Sequence, residues 1–255
     1  MSTENQSDSA SGSAFFGFKK VREEDKQGMV HDVFRSVADR YDLMNDVMSA
    51  GTHRIWKQSL IDQMRPRNGE RLLDVAGGTG DIAFKAREAA PKLDVTVCDI
   101  NAHMLGVGKE RASEKPHLSG LDFVCGNAEA LPVPDRAYDI YSIAFGIRNV
   151  THIDKALRDA RRALKPGGRF FILEFSPAVF PALKETYDKY SFSLIPRFGQ
   201  LFAGDFDSYQ YLVESIRQFP APDILKGMME DAGFSRVTYR SLSFGVVYIH
   251  QGWRL

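Results

Sequence analysis

The sequence predicts an α/β fold, a doubly wound and mostly parallel sheet with helices on both faces, and three observations point to it. Short apolar strand patterns alternate with helical ones through the middle of the chain, a glycine-rich turn joins the first of these strands to the next helix, and an acid closes the second strand. Strands that recur between helices imply crossover connections and a sheet buried from both sides. At 255 residues, 44% hydrophobic and 26% charged, the chain is long enough for one sizeable core and one catalytic domain.

The elements follow in order. Residues 1–17 read as a disordered tail, because Met1 to Ala14 is rich in Ser, Asn, Gln and acids and lacks the apolar core of a secretory signal. Residues 18–255 read as a single domain, opening with an N-terminal helical cover over 18–66. There Met29, Val33, Phe34, Val37, Tyr41, Met44 and Met48 recur at helical spacing, and Ile55, Leu60, Ile61 and Met64 mark a further helix before Pro66. Strands are expected at Arg71 to Ala76, Leu93 to Asp99, Leu121 to Cys125, Tyr138 to Phe145 and Arg169 to Glu174, with Lys165 to Gly168 as a turn into the last. Residues 175–215 are dense in aromatics and suit a substrate wall. Helical patterns at Ser208 to Arg217 and Pro222 to Ala232 precede two β-rich runs, Arg236 to Ser241 and Gly245 to His250, which a short connection makes an antiparallel hairpin.

Composition excludes several classes. Lys plus Arg and Asp plus Glu both number 33, so there is no basic field for nucleic acid. No apolar run approaches the roughly 20 residues that span a bilayer, which leaves a cytoplasmic or peripheral protein. Cys98 and Cys125 lack metal or redox spacing and are expected as buried, reduced thiols. No metal site is predicted.

The candidate ligand site is the turn Gly77-Gly78-Thr79-Gly80-Asp81 after the strand Leu72 to Ala76. At the carboxyl end of a strand in a doubly wound sheet, Gly78 and Gly80 let a ligand approach the backbone, and Thr79 has a hydroxyl for the ligand or the helix start. Asp99, about 20 residues on, is placed to accept hydrogen bonds from both hydroxyls of a ribose. Asn127 offers a donor and an acceptor to an adenine edge, and Ala128 a backbone N–H; an Asx-type turn is the plain alternative. A nicotinamide enzyme shares this logic. The third glycine of a dinucleotide loop is absent, however, and Asp81 would repel phosphates while tolerating a sulfonium. The fold is therefore Rossmann-like, with extra N-terminal helices and a C-terminal hairpin.

Two stretches are more specific. Tyr41-Asp42-Leu43-Met44-Asn45 with Ser49, His53 and Trp56, and Arg162 to Arg169 continuing to Glu174-Phe175-Ser176, resemble the two signatures of the ubiquinone/menaquinone biosynthesis C-methyltransferase family. The likeness runs through Gly146 to Val150 and on to Gly245-Val246-Val247. Ala144 departs from it, where many members have Ser. The resemblance implies S-adenosyl-L-methionine as cofactor, held at Thr79, Asp99, Asn127 and Ala128. It implies C-methylation of a polyprenylated quinol, either demethylmenaquinol or 2-polyprenyl-6-methoxy-1,4-benzoquinol. Other quinone-biosynthesis enzymes, a second copy of the chain and a membrane surface are compatible partners.

Methylating a ring carbon calls for an ionised neighbouring hydroxyl, hence a base and a nearby cation. Arg148 is the candidate cation, with Asn149 beside it, and His53 or Tyr41 the candidate proton acceptor. Each has a packing alternative: Arg148 paired with an acid, His53 a satisfied histidine, Tyr41 core. The rival functions are an NAD-dependent oxidoreductase and a non-catalytic, cofactor-binding subunit.

Overall fold

A computed structural model of the chain describes residues 12–37, 51–180 and 206–255 together with Asp46 and Ser49. It begins with a small antiparallel hairpin, β1 (Ser13–Phe16) and β2 (Lys19–Arg22), followed by α1 (Glu23–Val37) and α2 (His53–Met64). The alternating core follows as β3 (Arg71–Val75), α3 (Asp81–Ala89), β4 (Asp94–Asp99), α4 (Ala102–Ser113), β5 (Asp122–Cys125), β6 (Tyr138–Ala144), α5 (Ile153–Ala163) and β7 (Leu164–Phe175). It closes with α6 (Phe206–Gln218), α7 (Pro222–Asp231), β8 (Ser235–Leu242) and β9 (Val247–Trp253).

The main sheet has the order β5-β4-β3-β6-β7-β9-β8, parallel from β5 to β7, with β9 antiparallel to both β7 and β8. The chain therefore works outward from β3 to one edge, then returns to lay β6 against β3's other side. That reversal opens a crevice between the carboxyl ends of β3 and β6, where ligands bind in open α/β sheets.

Alternate residues of the central strands feed two cores. On one face Leu72, Val95, Val97 and Ile140 pack against Leu60 and Met64 of α2 and Ile82 and Phe84 of α3. On the other, Leu73, Val75, Tyr141 and Ile143 pack against Leu157 and Ala160 of α5 and Leu225 and Met229 of α7. Because both faces are covered, these strands read as nearly continuous apolar runs.

The structure departs from the sequence expectations at three places. The tail expected through residue 17 gives way to a strand by Ser13, which is held from far along the chain: Phe16 stacks on Tyr211 at 4.1 Å, and Phe18 N donates to Glu214 Oε2 at 3.0 Å. Lys165 to Gly168 belongs to β7, because Gly167 and Gly168 exchange backbone hydrogen bonds with Arg254. Cys98 is buried, and burial pushes its thiol up to about 12, but Cys125, expected buried, is exposed on the edge strand. Much of the expected aromatic wall, with Tyr41 and the chain from 38 to 45, lies outside the described residues. Among the described residues no helix is long and apolar enough to cross a membrane.

Candidate active site

Two backbone strains mark the switch point. Ala76, immediately after β3, and Phe145, immediately after β6, have φ of 51° and 56°, the left-handed region that side chains avoid. Gly146 follows from their convergence, since a Cβ there would lie 2.3 Å from that of Ala76. The two strand ends open onto one cavity. Its floor is Val75, Ala76 and Gly78; one wall is Asp99, Ile100, Asn101 and Met104; another is Gly126 to Glu129; Phe145, Gly146 and Asn149 to Thr151 complete the rim. Gln27 and Val30 of α1 supply the roof.

Asp99 is tied at both oxygens. Oδ2 accepts from Gly78 N at 2.9 Å and Oδ1 from Asn101 N at 2.8 Å, so the carboxylate fixes the glycine loop against the start of α4. Burial pushes its pKa up, opposed by these backbone bonds. Each carboxylate oxygen still has a lone pair for a hydroxyl donor. Gly78 has φ 53°, and a Cβ there would lie 2.9 Å from Met104 Cε. Gly80 starts α3 and donates to Gly77 O at 2.8 Å; neither it nor the buried Thr79 lines the cavity. Asn127 Oδ1 accepts from Glu129 N at 2.9 Å, the Asx-type bond, while Asn127 and Ala128 both line the cavity.

Asn101 was not singled out from sequence. Its Oδ1 caps α4 by accepting from His103 N and Met104 N, and its Nδ2 is buried without a partner on the cavity wall. An orphaned donor costs about 1–3 kcal/mol unless a ligand meets it. The D-x-N pattern ending β4 was the available signal. Beneath the loop, Asp74 is buried, takes the Ser142 hydroxyl at 2.7 Å, and is pushed by burial up to about 7.

The roof is clamped. Lys26 Nζ donates to Val150 O at 3.1 Å, and His152 bridges Glu23 of α1 at 3.1 Å and Glu129 at 2.8 Å. Glu129 Oε1 also accepts from the backbone N–H groups of Thr151 and His152.

Arg148 is buried behind the rim rather than on it. Its Nη1 pairs with Glu174 Oε1 at 2.7 Å and donates to Phe145 O at 2.7 Å, and the guanidinium lies 5.7 Å from the Phe175 ring centroid. Its neighbour Asn149 lines the cavity and accepts from the Tyr211 hydroxyl at 2.9 Å. His53 does not join them: it binds Asp46 Oδ1 through Nε2 at 2.9 Å and lines a second cavity.

An adenosyl ligand fits this donor set: a carboxylate for its ribose, an Asn and a backbone N–H for its adenine, and an unmet Asn101 amide. Solved structures with the same architecture point the same way for the fold. A SAM-dependent methyltransferase from Thermotoga maritima superposes with a TM-score of 0.64 at 17% identity, over 88% of this chain and 99% of that one. Phosphoethanolamine N-methyltransferase 2 of Haemonchus contortus, in complex with S-adenosyl-L-methionine, gives 0.57 at 17% identity, over 78% and 52%. In sequence, the ubiquinone/menaquinone biosynthesis C-methyltransferase UbiE of Methylobacterium nodulans is 58% identical over 243 residues, 94% of this chain and 96% of that protein. The protein of the same name from Bradyrhizobium diazoefficiens is 57% identical over 244 residues, 94% and 96%. The model of the ubiE/COQ5 methyltransferase family matches residues 19–254, and the chain belongs to that family.

Proposed function

We propose that the chain transfers a methyl group from S-adenosylmethionine to a ring carbon of a polyprenylated quinol in menaquinone or ubiquinone biosynthesis. The observation that carries this reading is the crevice at the β3–β6 switch point with Asp99 pinned beneath it, in a chain that matches the family over nearly its whole length. Asp99 would hold the ribose, Asn127 and Ala128 the adenine edge, and Gly78 would bring the backbone under the ligand. When bound, S-adenosylmethionine supplies an electrophilic methyl on a sulfonium. On transfer of that methyl to carbon, S-adenosylhomocysteine would be the leaving group and the displaced ring proton would pass to a water molecule.

The protein's contribution is orientation, exclusion of water and management of that charge. The clamped α1 roof closes the nucleoside side. Asn149 presents an amide at the rim, held by Tyr211, and Arg148 places a cation immediately behind it. With Glu174 and Phe145 O as its partners, Arg148 acts on the rim through position and field. Thr79 and Gly80 shape the loop from below. A lipid substrate goes with peripheral membrane contact.

Methyl transfer by the purified chain, followed by product analysis with short-tailed demethylnaphthoquinol and methoxybenzoquinol acceptors, tests the reading. Ring-methylated product from at least one acceptor is expected. Tight S-adenosylhomocysteine binding without turnover on either would instead describe a non-catalytic subunit.

A further inference from the structure

α1 roofs the nucleoside crevice through Gln27 and Val30, and polar and aromatic ties hold it and its leading hairpin in place. Phe16 stacks on Tyr211 at 4.1 Å, Lys26 Nζ donates to Val150 O at 3.1 Å, and Glu23 Oε2 meets His152 Nε2 at 3.1 Å. These three respond differently to protons. The ring contact carries no charge. Burial lowers the pKa of Lys26, but a neutral amine still donates to a carbonyl, so the second tie survives loss of a proton. The third does not.

His152 stands between carboxylates from two different elements. Its Nδ1 lies 2.8 Å from Glu129 Oε2, and Glu129 is fixed in the loop after β5, where its Oε1 accepts from the backbone N–H groups of Thr151 and His152. Glu23 stands in the first turn of α1. An ionised carboxylate only accepts, so both contacts are hydrogen bonds only when both ring nitrogens carry protons. A neutral ring keeps one N–H. Held by Glu129, it turns a lone pair on Glu23, and acceptor then faces acceptor. The His152 side chain is 28% exposed, so its proton exchanges with solvent. Lys26 faces Glu129 from α1, and on the His152 side Asp154 is bound to Arg158 at 2.6 Å.

We propose that His152 is a proton-dependent latch on the α1 lid: the imidazolium holds Glu23 and keeps the nucleoside crevice closed, and its deprotonation frees α1 for ligand exchange. This rests on the reading of that crevice as the S-adenosylmethionine site. Glu129 and His152 stay together in both states, so the tie that breaks is the one to the lid. Val30 and the other two ties still hold α1 in its place, which limits the effect to the worth of one partly exposed ion pair.

The test follows release of labelled S-adenosylhomocysteine from the full-length protein into excess unlabelled ligand. Release from the parent should quicken about threefold to fivefold from about pH 5.5 to about pH 8, the range in which an imidazole changes charge. His152→Ala should release at the fast rate already at the acid end. Glu23→Gln should remain slow at the alkaline end, because an amide can accept from the imidazolium and donate to the neutral ring. Asp74, pushed up to about 7, titrates in the same range but is unaltered in both variants, so the difference from the parent belongs to the latch. Release that is independent of pH in the parent, or one pH profile shared by the parent and both variants, would overturn the latch and leave the ligand site standing. No binding of S-adenosylhomocysteine by the parent would overturn both.

Discussion

Replacing Asp99 with Ala is expected to weaken S-adenosylhomocysteine binding at least about 100-fold, because the proposed role of this carboxylate is to accept two charge-assisted hydrogen bonds from ribose, each worth about 1.5–3 kcal/mol. The same carboxylate accepts from Gly78 N and Asn101 N, so the substitution also releases the glycine loop from α4. Asp99→Asn should recover little of this, since its amide group can accept at only one of the two positions and sets a donor against a backbone N–H at the other. Calorimetric titration reads the effect directly, and a thermal melt separates it from unfolding. Affinity within a few-fold of the parent in a folded Asp99→Ala protein would remove the carboxylate from the ligand site.

The second large effect concerns Arg148 and Glu174, whose side chains are 3% and 1% exposed. Burial pushes Glu174 up, and the Arg148 guanidinium opposes that shift. Arg148→Ala leaves a buried carboxylate without its cation and is expected to lower stability by about 3–5 kcal/mol. Turnover should collapse with S-adenosylhomocysteine affinity nearly intact, since Asp99 and Asn127 are untouched. An Arg148→Met/Glu174→Met variant distinguishes packing from chemistry: removing both charges should restore much of the stability, as replacing buried pairs with apolar residues commonly does. Turnover should stay low. Full activity in a stable double variant would show that the cation has no part in the reaction.

Much of this arrangement could be read from residues that act locally. The strand Leu72 to Val75 running into glycines, the acid at 99 and the Gly-Asn pair at 126 and 127 lie at the ends of consecutive strands, and a parallel sheet brings such ends to one edge whatever the loops do. The terminal hairpin was legible for the same reason, its two runs being adjacent in sequence. What stayed hidden depends on distant partners. β1 and β2 have four residues each, too few for a periodic signal, and rest on Tyr211 and Glu214 almost 200 positions on. The roof of the cavity comes from Gln27 and Val30, which read only as ordinary positions on a helix. Glu174 was visible in a signature, yet its pairing with Arg148, 26 residues away, follows from β6 and β7 being neighbours. His53 stood beside Tyr41 in the sequence argument as a proton acceptor, and its placement in a separate cavity depends on how α2 packs on α3.

A crystal structure of the protein with S-adenosylhomocysteine tests the ligand site itself. The nucleoside is expected in the crevice between β3 and β6, with both ribose hydroxyls within hydrogen-bonding distance of Asp99 and the adenine edge against Asn127 and the Ala128 N–H. A nucleoside bound elsewhere, or in that crevice with its ribose turned away from Asp99, would contradict it.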